Sequence, residues 1–258
     1  MSFAPDSQRL VVATVGNTNV HGGTQAYQVT VWNARTGEML RRLTDGDEQL
    51  WSTSVSWLRN GRIALGTRLW DADAATVVAE LKDAAGELWQ PFTTWAMVSA
   101  GPLLAVADRD VKLFSADTGA AICTLEPPES NFPVQALAIS PDHLRLAAAT
   151  GSKDVCIWDL SGIDLTAGAA PAWTHRLEGL DANALAFSPD GRTLACAASY
   201  KPKLTFWSAE TGQPLDADLP PHRMADSALD MTFSPNGQWL LYGCQNLGFA
   251  AHLLPWKQ

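Results

Sequence analysis

The chain has 258 residues, of which 47% are hydrophobic and only 17% are charged. This length and composition favour one folded domain, because a disordered chain combines low hydrophobicity with many charges. The formal net charge of −9 argues against an affinity that depends on neutralising phosphate groups. We therefore expect neither nucleic acid nor a membrane as a partner, and a basic protein or peptide fits the charge better.

The four cysteines lie in apolar runs and lack the CxxC spacing of metal and redox sites. They are Cys123, Cys156, Cys196 and Cys244. We expect four buried free thiols, which indicates a reducing compartment and hence the cytoplasm. The N-terminus has no basic segment followed by an apolar run, so no signal peptide is predicted. No apolar stretch of about 18 residues predicts a membrane span.

One phrase recurs along the chain, most clearly as FSPDGRTL and FSPNGQWL. Copies begin, in chain order, at Phe3, Trp57, Met97, Ile139, Phe187 and Phe233, and those at Trp57 and Met97 are loose. Proline presets φ, aspartate bonds its own backbone and glycine accepts a positive φ, so the phrase predicts a hairpin turn between two strands. The copies are 40 to 54 residues apart, which is the period of a four-stranded blade.

A second phrase places an aromatic residue five positions before the glycine of a Thr-Gly pair. It occurs at Trp32 to Gly37, Phe114 to Gly119 and Trp207 to Gly212, and Trp70-Asp71 and Trp158-Asp159 repeat the aromatic step. The glycine suits the left-handed position of a second hairpin turn. With these two phrases the chain resembles WD-repeat proteins over nearly its whole length. The resemblance implies an all-β fold, a β-propeller of four-stranded antiparallel blades.

Six blade-like repeats are visible, and we expect one propeller domain over residues 1–258. The approximate repeats are 1–42, 43–82, 83–126, 127–178, 179–218 and 219–258. Because residues 1–3 align with residues 231–233, they are expected to be the end of an inner strand whose earlier residues are missing, so the first repeat lacks that strand. The last repeat stops at Gln258 without room for an outer strand. Three alternatives stay open: part of a larger polypeptide or assembly, an irregular last blade, or closure by a second subunit.

The repeats depart from the WD pattern in their polar residues. The resemblance implies a brace of His, Ser or Thr, Asp and Trp in each blade. Here only Asp108 stands six residues before an anchor aromatic, Phe114, which has no indole N–H to donate. We therefore expect cohesion from packed aromatic residues, namely Trp32, Trp70, Phe114, Trp158 and Trp207. Such degenerate repeats resemble bacterial-type WD repeats or a related propeller family.

The resemblance also implies a binding face made of the loops between blades and the second hairpin of each blade. In three successive repeats the loop pairs an acid with an aromatic residue: Glu48 with Trp51, Glu87 with Trp89 and Glu129 with Phe132. Such a rim could hold a basic peptide by stacking and charge-assisted hydrogen bonds. His222 and Arg223 are a further candidate contact. The alternative is that the aromatic residues pack between blades and the charged residues are ordinary loop residues.

No sequence pattern predicts catalysis, a cofactor or a metal. The histidines lack a metal-ligand spacing, and no nucleophile elbow is present. The sequence therefore predicts a non-catalytic scaffold or sensor module that binds proteins. The alternative is a propeller enzyme, such as a hydrolase, a lactonase or a quinone-dependent dehydrogenase, with its site in the central funnel.

Overall fold

A computed structural model describes most of the chain. The described residues are 1–16, 26–44, 54–88, 96–127, 132–163, 171, 173–198, 204–216, 228–244 and 250–255. Within these ranges the backbone forms 23 β-strands in six antiparallel sheets and no α-helix. The all-β prediction is therefore confirmed. None of these segments is a helix that could cross a membrane.

The described strands fall into two compact units, and the first consists mainly of residues 1–108 and 112–123. Sheet 1 contains β1 (Ser2–Phe3), β2 (Arg9–Gly16), β3 (Ala26–Asn33) and β4 (Met39–Arg42). Sheet 2 contains β5 (Val55–Trp57), β6 (Arg62–Leu65), β7 (Arg68–Asp71) and β8 (Thr76–Glu80). Sheet 3 contains β9 (Ala96–Ala100), β10 (Leu103–Ala107), β11 (Val111–Ser115) and β12 (Ala121–Leu125). In each sheet the strands pair in sequence order.

The second unit consists mainly of residues 124–164 and 168–258. Sheet 4 contains β13 (Val134–Ile139), β14 (Arg145–Thr150), β15 (Val155–Asp159) and β16 (Trp173–Leu177). Sheet 5 contains β17 (Ala182–Phe187), β18 (Thr193–Ala198), β19 (Leu204–Ser208) and β20 (Pro214–Leu215). Sheet 6 contains β21 (Ala228–Phe233), β22 (Trp239–Cys244) and β23 (Ala250–Pro255). Each is again a series of hairpins, because consecutive strands are neighbours.

The first and third sheets differ from the expectation. Sheet 1 has an inner strand after all, since Ser2 and Phe3 pair with β2, although the strand is only two residues long. In sheet 3 the anchor position is two residues later than the loose match at Met97 predicted. Ser99 lies opposite Leu104 in the register, so a serine stands where the other repeats have an apolar anchor. Sheet 6 has three strands among the described residues, in agreement with the expectation that this repeat has no outer strand.

Sheet 2 is buried on both faces within the first unit. Ile63 and Leu65 of β6 pack into a core with Val11 of sheet 1. Ala64, between them on the same strand, packs into a separate core with Leu104 of sheet 3. Alternate side chains of one strand therefore enter two different cores, as strand geometry requires. This is why β6 reads as a continuous apolar run rather than as alternating apolar and polar residues.

Sheet 5 repeats this arrangement in the second unit. Leu194 and Cys196 of β18 pack with residues of sheet 4, among them Ile157. Ala195 on the same strand packs with sheet 6, against a core that includes Tyr242. Each middle sheet is thus stabilised by two neighbours. Burying one large apolar side chain contributes roughly 1.5–3 kcal/mol.

The Ser-Pro-Asp phrase forms the same turn wherever the second unit contains it. In sheet 4, Ser140 Oγ accepts the N–H of Arg145 at 2.9 Å and donates to the carboxylate of Asp142. Ser188 Oγ accepts the N–H of Thr193 at 3.0 Å in the equivalent turn of sheet 5. The serine and the acid therefore satisfy the backbone of the first hairpin, which explains why the phrase recurs.

Two of the three Thr-Gly turns, those at Gly119 and Gly212, lie against the outer strand of the preceding sheet. Gly119 has a φ of +74°, and a Cβ built there would lie 2.6 Å from the carbonyl oxygen of Glu80 at the end of β8. The Lys82 N–H donates to the Gly119 carbonyl at 3.0 Å, which joins sheets 2 and 3. In the second unit, a Cβ at Gly212 would lie 2.9 Å from the ring of His175 on β16. Glycine is required here for both backbone conformation and close approach.

The contact at Gly119 predicts a large cost for a single methyl group. We expect Gly119→Ala to lower the free energy of unfolding by about 2–4 kcal/mol, combining a strained positive φ with a backbone clash. Gly37 is the matched control, since it has a φ of +69° with nothing within 4 Å of a built Cβ. Gly37→Ala should cost only about 1–2 kcal/mol. Equal urea-denaturation midpoints for the two variants would contradict the proposed contact.

Four aspartates in hairpin turns have pKa values below their ordinary value of 3.8. They are Asp6, Asp71, Asp142 and Asp159. The pKa of Asp71 is lowered because its carboxylate accepts the N–H groups of Ala74 and Asp73 at 2.7 and 2.8 Å. Burial raises the pKa of Asp142, but hydrogen bonds from Ser140 and Leu144 outweigh it. In each case the folded protein favours the charged form.

These lowered pKa values predict a loss of stability in acid. The ionised aspartates contribute stability at neutral pH, and that contribution disappears as the pH falls below about 4 through the folded pKa values. Urea denaturation at neutral pH and across the acid range should show a falling free energy of unfolding. Asp71→Asn, which cannot ionise, should show a smaller dependence on pH. A free energy of unfolding that stays constant down to acid pH would contradict the prediction.

Candidate functional site

The predicted rim residues are only partly described by the structure. Six of them lie outside the described residues: Glu48, Trp51, Trp89, Glu129, His222 and Arg223. Glu87 lies in the first unit and Phe132 in the second, and both are exposed. These two residues therefore have separate surroundings, one in each unit.

Glu87 belongs to a tight loop that follows sheet 2. Lys82 and Leu88 form an antiparallel bridge that closes the loop. Inside it, the Asp83 carboxylate accepts the N–H of Ala85 at 2.9 Å and that of Glu87 at 3.0 Å. These bonds fix the backbone of the loop, so the exposed Glu87 carboxylate stands on an ordered turn. A fixed carboxylate of this kind can bind a basic group with little loss of backbone entropy.

Phe132 stands just before β13, and its side chain is 44% exposed. The next residue, Pro133, accepts the N–H of Gly151 from the turn between β14 and β15 at 3.0 Å. A Cβ built at Gly151 would lie 3.3 Å from the Cβ of Phe132. The glycine therefore allows the loop and the turn to approach closely. Phe132 is held against the second hairpin of sheet 4 while its ring stays accessible to solvent.

The same hairpin contains a cluster of polar side chains that crosses sheet 4. The Asp154 side chain is 7% exposed and accepts two bonds on Oδ2 from Arg176, at 2.7 Å from Nη2 and 3.1 Å from Nε. Thr150 Oγ1 lies 2.7 Å from Ser152 Oγ and donates to the carbonyl of Asp154 at 3.1 Å. The buried carboxylate is thus neutralised by a guanidinium that is itself 28% exposed. The cluster fixes the β14–β15 hairpin, whose turn lies against Phe132.

The polar cluster stabilises sheet 4 in addition to the packed aromatic residues that were expected to provide cohesion. Trp158 and Phe114 are indeed fully buried. Trp32 and Trp207 are only partly buried, and their indole N–H groups donate to Thr30 at 2.8 Å and Thr205 at 3.1 Å. The brace pattern of the family places an aspartate six residues before the aromatic residue, so it does not reveal the pair of Asp154 and Arg176. Asp154 stands four residues before Trp158, and its partner is 22 residues away on β16.

Cys123, Cys156 and Cys196 are free thiols. Cys156 and Cys196 are buried as expected, whereas Cys123 is only partly buried. Burial raises the pKa of Cys156 to about 12, and it also raises the pKa of Cys196. Both thiols are therefore protonated at neutral pH, and neither is an activated nucleophile. Within the described ranges, no three His, Cys, Asp or Glu side chains form a group that could hold a metal ion.

Comparison with known families identifies one repeat in the chain. The family model "WD domain, G-beta repeat" matches residues 119–159. That segment runs from the outer strand of sheet 3 through the first three strands of sheet 4, and it includes Asp154 and Trp158. The predicted resemblance to the WD-repeat family is confirmed. A search of curated proteins found no match to the chain.

The Asp154 cluster predicts that loss of the aspartate lowers the free energy of unfolding by different amounts in two aspartate–arginine pairs. We expect Asp154→Ala to lower the free energy of unfolding by about 1–3 kcal/mol, because it removes two hydrogen bonds from the Arg176 guanidinium to a buried carboxylate. Asp73 is the control: its side chain is 86% exposed and lies 2.9 Å from Arg9. Asp73→Ala should cost less than about 1 kcal/mol. Urea denaturation measures both, and an Asp154→Ala variant no less stable than Asp73→Ala would be the contrary result.

Proposed function

We propose that this WD-repeat chain is a β-propeller whose sheets are the blades of one domain, and that it binds proteins rather than catalysing a reaction. WD repeats generally mediate protein–protein interactions, and residues 119–159 are such a repeat. The sheets support this proposal, because each middle sheet buries both faces against its neighbours. Blades stacked in this way form a rigid support for variable loops. The protonated buried thiols suit a cytoplasmic scaffold or sensor module.

The observation that carries the binding proposal is the exposed ring of Phe132 on an ordered support. Aromatic residues are enriched among the side chains that contribute most to protein interfaces. Here the backbone that follows Phe132 is fixed, because the Pro133 carbonyl accepts the N–H of Gly151 and the neighbouring hairpin is held by Asp154 and Arg176. A partner would therefore lose little of its binding energy to ordering Pro133 and the hairpin beside Phe132.

The charge of the chain favours a basic partner. The net charge is −9, which attracts basic segments at long range. Near the hairpin, the Glu178 side chain is 75% exposed and lies 3.8 Å from Arg176 Nε. An arginine of the partner could stack on the Phe132 ring, and other basic residues of the same partner could bond to exposed carboxylates such as Glu178. The six rim residues outside the described ranges remain predictions of further contacts.

The test uses a matched pair of exposed apolar residues on sheet 4. Phe132 is 44% exposed and precedes β13, whereas Leu144 is 45% exposed in the turn that follows β13. A panel of arginine-containing peptides, each paired with a version carrying glutamate in place of arginine, supplies the ligands. We expect the arginine peptides to bind preferentially. Phe132→Ala should weaken binding at least about tenfold, which corresponds to roughly 1.4 kcal/mol, and Leu144→Ala should leave it unchanged.

Two outcomes would reject parts of this proposal. Equal binding of arginine and glutamate peptides would exclude a basic partner. If the arginine peptides bind but Phe132→Ala and Leu144→Ala behave alike, the contact lies elsewhere on the protein. Circular dichroism of both variants separates lost binding from lost folding.

A further inference from the structure

Two Asn-Gly pairs occupy equivalent hairpin turns in different sheets. Asn60-Gly61 joins β5 to β6, and Asn236-Gly237 joins β21 to β22. Asn-Gly is the pair most prone to deamidation, because glycine has no side chain to shield its backbone nitrogen. Both glycines have a positive φ, +84° and +67°. The two turns therefore carry the same reactive chemistry, and they differ in what surrounds the asparagine side chain.

Asn60 joins sheet 2 to sheet 3 through its amide group. Its Nδ2 donates to Asp117 Oδ1 at 2.7 Å and to the carbonyl of Ala116 at 3.1 Å. Its Oδ1 accepts the N–H of Arg62 at 3.1 Å. The Arg62 guanidinium donates to the carbonyl of Asp117. The Asn60 amide thus donates to two acceptors on the turn between β11 and β12. A carboxylate at this position would have no hydrogen to donate to either acceptor.

Asn236 makes its contacts inside its own turn. Its Oδ1 accepts the N–H of Gln238 at 3.1 Å, and its Nδ2 donates to Gln238 Oε1 at 3.1 Å. The same position is Asp142 in sheet 4 and Asp190 in sheet 5, and each accepts a backbone N–H two residues later at 3.0 Å. A carboxylate therefore suits this turn.

We propose that Asn60 is a deamidation site whose conversion loosens the contact between sheets 2 and 3. The Gly61 nitrogen attacks Asn60 Cγ and loses its proton, and the side-chain amide leaves as ammonia to give a succinimide. Water then opens the ring to aspartate or isoaspartate. The bond from the Gly61 N–H to the Leu58 carbonyl, 3.0 Å long, has to open first. The reaction therefore follows transient opening of the turn.

The product places two carboxylates face to face. Both hydrogen bonds from Asn60 Nδ2 are lost, and the new carboxylate faces Asp117 where a 2.7 Å hydrogen bond was. Arg62 offsets this repulsion only in part. It already bonds to the Asp117 carbonyl and pairs across the strands with Asp71, whose pKa it helps to lower. Like charges in direct contact destabilise a fold, whereas Asn236→Asp merely restores the residue of the neighbouring repeats.

The test compares Asn60→Asp with Asn236→Asp and adds a rescue variant. We expect Asn60→Asp to lower the Tm by about 2–4 °C and Asn236→Asp to leave it unchanged. Asn60→Asp combined with Asp117→Asn exchanges the amide and the carboxylate, so a hydrogen bond can form again and the Tm should recover. Asn60→Asp as stable as Asn236→Asp would overturn the proposal, and so would a double variant no more stable than Asn60→Asp. If Asn60→Asp does not fold, recovery of folding in the double variant supports it.

Ageing the unmodified protein tests the chemical step. The full chain is incubated at mildly alkaline pH, its charge forms are separated by ion exchange, and peptide mass spectrometry locates the deamidated residue. Among molecules that carry aspartate rather than isoaspartate, those deamidated at Asn60 should melt earlier than the starting protein, and those deamidated only at Asn236 should not. Coincident melting of the Asn60 product and the starting protein would overturn the proposal, as would the absence of any Asn60 product after prolonged incubation.

Discussion

The second strand of each middle sheet sends alternate side chains into two different cores, and the rest of the fold depends on this arrangement. In β6, Ile63 and Ala64 are adjacent in sequence but pack against different sheets. In β18, Leu194 and Ala195 do the same. A strand buried on both faces has no solvated side, so polar side chains are displaced to its ends. The polar contacts beside β6 and β18 therefore lie mainly in the turns at the ends of these strands.

Those turns also connect neighbouring sheets within each unit. The Gly119 turn touches the end of β8, and the Asn60 turn donates to Asp117. In the second unit, a ring nitrogen of His175 lies 2.8 Å from the carbonyl of Glu210. Apolar packing between sheets is not directional, because it follows the area removed from water. Hydrogen bonds and close contacts at the turns are directional, so they fix the orientation of each sheet relative to its neighbour in the same unit.

The binding proposal follows from the same division between core and turns. The Asp154–Arg176 pair joins β15 to β16 in sheet 4, and Phe132 lies against the Gly151 turn of the same sheet and is 44% exposed. A buried ion pair is costly to assemble but restricts conformation strongly once both partners are present. Here it leaves the aromatic ring on an ordered surface. Loops on such a support can change in sequence without disturbing the cores, which suits a module that binds partners.

Local sequence predicted the hairpins well. Ser-Pro-Asp and Thr-Gly encode their turns through short-range bonds and a positive φ, and the structure forms them at Ser140, Ser188 and Gly119. The copy at Met97 was misplaced because Ser99 carries none of the apolar character by which the other anchors were recognised. The two-residue β1 was missed because so short a strand is stabilised by its neighbours rather than by its own sequence.

The candidate site was predicted less completely than the fold. The sequence by itself determined the strand-and-turn pattern, the resemblance to WD repeats and the acidic character, since these depend on residue type and spacing. Only the tertiary structure decided that Asp154 meets Arg176 and that Asn60 faces Asp117, pairs separated by 22 and 57 residues. Sequence spacing cannot reveal such pairs, because they form only when hairpin pairing and sheet packing bring distant turns together.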